Sequence, residues 1–165
     1  MTRCIFKAAG ASPGLAALAL LLALAATTQP AGATGAMACT VDDPRLELNI
    51  EGAYGHGMGG ALVTAGGKAM VRLRGTPAPL AASDFERSHV AQYWLSGKEL
   101  KLVLYRETEG EPHGSVEISI ETRRAGRDET AYAGTYRLLV ETMEGSTDGA
   151  VRRIEGKGKV TCSAG

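Results

Sequence analysis

Val116-Glu-Ile-Ser-Ile-Glu121 decides the fold. Apolar and polar residues alternate one for one. Val116, Ile118 and Ile120 share one face, and Glu117, Ser119 and Glu121 share the other. Side chains of a strand point to opposite faces with a period of two, so this stretch is a half-buried strand. The pattern continues on both sides. Downstream, Tyr132, Gly134, Tyr136, Leu138 and Val140 fall on one face, and Ile154, Gly156, Gly158, Val160 and Cys162 on another. Glycines on an inner face signal tight curvature or the close approach of a neighbour. Upstream, Glu99–Glu107 is a strand; the segment 89–95 before it fits a strand or the end of a helix, and the two-residue turn Ser96-Gly97 favours strand.

Nearer the N-terminus, Leu46, Leu48 and Ile50 alternate with Arg45, Glu47, Asn49 and Glu51. A glycine-rich loop follows at 52–60. Ala61–Thr64 and Lys68–Arg74 then read as two short strands joined by a turn at Ala65-Gly66-Gly67, where glycine supplies a positive φ. Gly75, Pro77 and Pro79 break the pattern. Ser83, with Glu86 three residues on, has the form of a capping box, which predicts a short helical turn over 84–88. The expectation is an all-β, single-domain antiparallel barrel or sandwich of about eight strands with one short helical turn. A weak echo, Glu109-Gly110…Gly114…Val116 against Glu144-Gly145…Gly149…Val151, reads as two hairpins with the same turn chemistry or as a duplicated hairpin.

Ahead of this domain stand Arg3 and Lys7, a twelve-residue apolar run from Leu15 to Ala26, and a small-residue stretch. That is the layout of a secretory signal peptide. The run is too short for a membrane span, which needs about 20 apolar residues. The division is therefore 1–38, signal peptide and cleavage region, and 39–165, the β domain. Two small-x-small sites offer a cut, Ala31-Gly32-Ala33 and Ala36-Met37-Ala38. Cys4 leaves with the leader. Cys39 and Cys162 remain at opposite ends of the mature chain, and in an oxidising compartment such a pair is expected to be bridged. The competing reading, a lipoprotein acylated on Cys39, lacks the usual large apolar residue at Ala36 and leaves Cys162 alone. The localisation expected is periplasmic or secreted.

The mature domain carries 16 Lys and Arg against 18 Asp and Glu. A nucleic-acid binder needs a basic footprint, and none is present. The mature domain, residues 39–165, holds no Gly-x-Ser-x-Gly, Ser-x-x-Lys, His-Glu-x-x-His or Cys-x-x-Cys. No catalytic residues or cofactor are assigned, and binding is expected over catalysis. Two constellations compete for it. Glu107, Glu109, Glu111, Glu141, Glu144 and Asp148 crowd two late hairpins against Arg106, while Arg123, Arg124 and Arg127 sit on the turn between. An acidic rim of this kind attracts a cationic protein or small ligand, or Ca²⁺. Exposed hairpins also carry charge simply for solubility. The first reading is thus an exported non-catalytic binding or inhibitor-like module. The alternative is a copper-handling protein, in which His56, Met58 and His113 supply imidazole and thioether ligands. It depends on loop parity: eight strands in a meander put His56 and His113 at the same end.

Overall fold

The computed structural model describes residues 34–56, 60–110, 113–144 and 150–165. The strands are β1 (Thr34–Asp42), β2 (Leu46–Gly55), β3 (Leu62–Val71), β4 (Ala82–Glu86), β5 (Val90–Ser96), β6 (Glu99–Glu107), β7 (Gly114–Arg124), β8 (Ala131–Glu144) and β9 (Ala150–Ala164). A four-residue helix, α1 (Ala78–Ala81), precedes β4, and a 3₁₀ turn (Arg87–His89) separates β4 from β5. All nine strands belong to one sheet in the order β4-β3-β2-β1-β9-β8-β7-β6-β5, antiparallel throughout. Directions alternate along that list, so its two edges, β4 and β5, point the same way. They are consecutive in the chain and act as one bent strand. Its first half pairs with β3 and its second with β6. The sheet is therefore a nearly closed up-and-down barrel with eight staves. Arg106 Nη1 donates to the Asp84 carbonyl at 3.1 Å, and Arg87 Nε to the Leu62 carbonyl at 3.1 Å, tying the seam.

The count of nine differs from eight for three local reasons. Residues 62–71 form one strand, not two: Gly66 and Gly67 are extended and paired with Glu51 and Ile50. Glycine stands at 67 because a Cβ there would strike the Asn49 carbonyl and Ile50 Cα. Residues 82–86 are strand, not helix. Ser83 is buried and its hydroxyl donates to the Leu80 carbonyl at 3.3 Å instead of capping. The capping box sits one turn later: Glu86 and His89 close the 3₁₀ turn, with the Glu86 amide donating to His89 Nδ1 at 3.0 Å. Finally, β1 begins at Thr34, inside the stretch assigned to the cleavage region.

The interior is packed with side chains. Leu46, Leu48, Ile50, Leu100, Leu102, Leu104, Ile118, Ile120, Tyr136 and Leu138 are all fully buried. The outward phase of the same strands carries Glu117, Glu121, Arg137, Lys157 and Lys159. An apolar filling within a charged wall is the inverse of a lipid-embedded barrel, which turns its apolar face outward. No helix among the described residues is long and apolar enough to cross a membrane. The glycines of β9 make room at the barrel mouth. A Cβ on Gly158 would collide with Asp43 and with the Tyr136 ring, and one on Gly156 would press on Leu73 at 3.2 Å. The two valines of the sequence echo face opposite ways: Val116 is buried and Val151 exposed.

Cys39 and Cys162 are directly opposed in the β1–β9 ladder and joined by a disulfide, with Cα atoms 4.0 Å apart. The bridge occupies Cys39 Sγ, the atom that a lipoprotein would acylate, and it staples the first strand to the last.

Candidate functional site

Strand direction gives the barrel two distinct ends. The β1–β2 turn, the 72–81 segment, the end of β6 with the start of β7, and the end of β8 with the start of β9 lie at one end, the apical end. The end of β2 with the start of β3, the Gly97-Lys98 turn, the 125–130 turn and both termini of the barrel lie at the other, the basal end.

A groove of about 330 Å³ opens at the apical rim, over the outer wall of β6 to β9. The register explains its composition. Glu107 pairs with Ser115, Ser115 with Glu141, and Glu141 with Arg153, so one outward row crosses four strands. Tyr105 lies two residues before Glu107 on the same face, and its hydroxyl donates to Glu107 Oε1 at 2.5 Å. Met143 and Val151 pair one step further toward the rim. The Met143 amide donates to the His113 carbonyl at 2.9 Å, so the β6–β7 hairpin is docked on β8. Thr108 closes that hairpin by accepting the Gly114 amide at 3.0 Å. The groove thus joins Tyr105, Met143 and Val151, which are 37%, 52% and 50% exposed, to the carboxylates of Glu107 and Glu141.

Its electrostatics are anionic but not uniformly so. Arg153 Nε donates to Glu141 Oε1 at 2.6 Å and offsets that carboxylate. The Tyr105 phenol titrates above its ordinary range, first because it donates to Glu107, then through burial and the nearby Glu107 and Glu141 charges. It stays a neutral donor.

The structure brings Glu107, Glu141 and His113 together at this groove. Glu109 is exposed in the same hairpin. Glu111 and Asp148, and the side chain of Glu144, lie outside the described residues. The proposed copper ligands are not gathered. His113 is apical, whereas His56 follows β2 at the basal end, its ring 5.2 Å from that of Tyr54. Merging 62–71 into one strand moves the His56 loop to the opposite end from the one parity gave it. Met58 lies outside the described residues, and no group of three or more His, Cys, Asp or Glu suited to a metal occurs among those described. The basal end is an aromatic plug. Tyr54 and Tyr93 lie 6.5 Å apart beside buried Tyr132, and burial, aided by these two phenols, pushes the Tyr93 hydroxyl up to about 12.

Tyr105, Met143 and Val151 were legible only as apolar residues in the polar phase of alternating strands. No protein-family model, curated protein or solved structure matches the chain.

Proposed function

We propose that this protein is an exported, non-catalytic binding or inhibitor-like module that takes a cationic side chain of a protein partner in the apical groove. One observation carries the reading. Three of the six large exposed hydrophobic residues among those described, Tyr105, Met143 and Val151, meet in the groove that also holds Glu107 and Glu141. An aromatic face and a thioether beside carboxylates suit a lysine or arginine, whose apolar stem packs while its charged head pairs. The packed interior favours this surface over a small-molecule site inside the barrel. The leader and the terminal disulfide support export, since such bridges persist in oxidising compartments.

The test is an amide-shift titration of the oxidised domain with an acetylated tri-lysine peptide. Shifts are expected at 105–110, 113–115, 139–143 and 150–153, weakening as salt rises. Glu107→Gln with Glu141→Gln should abolish them. Shifts centred elsewhere, or an unchanged response in the double variant, would overturn the proposal. Cu(I), Cu(II) and Zn²⁺ titrations form the comparison arm. Tight copper binding lost in His56→Ala and His113→Ala would favour the metal-handling alternative.

A further inference from the structure

We infer that the leader is removed after Ala33, so that the mature chain begins at Thr34 and not at Cys39. The inference rests on the export reading and sharpens it. Both Ala31-Gly32-Ala33 and Ala36-Met37-Ala38 offer the small residues that signal peptidase requires. The fold separates them. β1 runs from Thr34, paired with β2 from Thr34↔Gly55 to Asp42↔Glu47. Cutting after Ala38 removes five of those nine paired positions, and two of the four that join β1 to β9. It also removes the reciprocal bonds of Ala36 and Gly165, amide to carbonyl at 2.8 and 3.0 Å, which finish the ladder at the basal end.

The side chains agree. Met37 is 2% exposed and belongs to the barrel core. Gly35 is a glycine because the Tyr54 ring lies where its Cβ would be. A strand that ends in the core and against a fitted aromatic is part of the folded domain. A cut after Ala38 would further place the new chain end on Cys39, in the middle of β1 and opposite Ile50 and Cys162 in its two ladders. A cut after Ala33 leaves every paired residue of β1 in place and puts the new chain end at the exposed Thr34.

The test uses the full chain, expressed in a bacterial host and recovered from the periplasm and medium, followed by intact-mass analysis and N-terminal sequencing. An N-terminus at Thr34 is expected. Ala33→Gln should lower the yield of processed protein severalfold, whereas Ala38→Gln should leave yield and N-terminus unchanged. An N-terminus at Cys39, or at any other position, overturns the assigned site while export survives. Unprocessed chain retained in the cytoplasm overturns the export reading itself, and the site with it.

Discussion

A phenol and a carboxylate 2.6 Å apart hold the apical mouth of the barrel: Tyr136 donates to Asp43 Oδ2. Asp43 also accepts the amides of Arg45 and Leu46, at 2.7 and 3.0 Å, which shapes the β1–β2 turn. Burial alone would raise the Asp43 pKa, but these bonds outweigh it and hold the carboxyl below its ordinary value. A carboxyl with a depressed folded pKa contributes stability that is present above the unfolded value, about 3.9, and is lost as pH falls through the folded one. Tyr136→Phe should therefore cost about 1–2 kcal/mol at neutral pH, with a deficit that shrinks as pH falls through the depressed Asp43 pKa. Urea midpoints of both proteins at pH 7 and pH 2.5 measure this. An equal deficit at both values would remove Asp43 from the explanation. Both partners depend on Gly158, which β9 supplies without a Cβ.

Among the described strands, β1 and β9 form the one pairing between strands that are not consecutive in the chain, and Cys39–Cys162 crosses it. The bridged residues are 123 apart in sequence. The chain-entropy account gives such a closure about 4–5 kcal/mol before any strain. Cys39→Ala with Cys162→Ala should lower stability by about 4 kcal/mol in guanidinium titrations, while near-native spectra persist at low denaturant. Coincident midpoints would show that the ladder alone holds the seam. The strands with strict alternation, β2, β6, β7 and the inner phases of β8 and β9, were legible from sequence because each buries one face. The errors fell where a residue type serves two purposes. Gly66 and Gly67 suit a turn, yet here they let neighbouring backbones approach. Ser83 suits a helix cap, yet it is buried in β4. β1 was hidden because Thr34-Gly-Ala-Met-Ala38 has the composition of a cleavage region. Of the site, the carboxylates were visible as charge. The apolar half emerges only from register, which no local pattern encodes, and Arg153 lies beyond the acidic hairpins, two positions into β9 from Val151.

On the scale of the whole molecule, the sheet order is the chain order, rotated. Reading β5-β6-β7-β8-β9-β1-β2-β3-β4 along the sheet, every neighbour is also a neighbour in the chain except at the join of β9 to β1. The two ends of the barrel already touch, since Ala36 and Gly165 exchange backbone bonds. A circular permutant is thus implied: a short linker from Gly165 to Thr34, and new termini opened between Ser88 and His89. It would replace the single distant pairing by a hairpin and create no new distant one, because β4 and β5 do not pair. Folding slows as mean sequence separation between contacts grows. With both cysteines replaced in each protein, stopped-flow refolding of the permutant should be faster by about tenfold, even though opening the Glu86–His89 turn lowers its stability. An equal or slower rate would mean that joining the chain ends is not what limits the search for this fold.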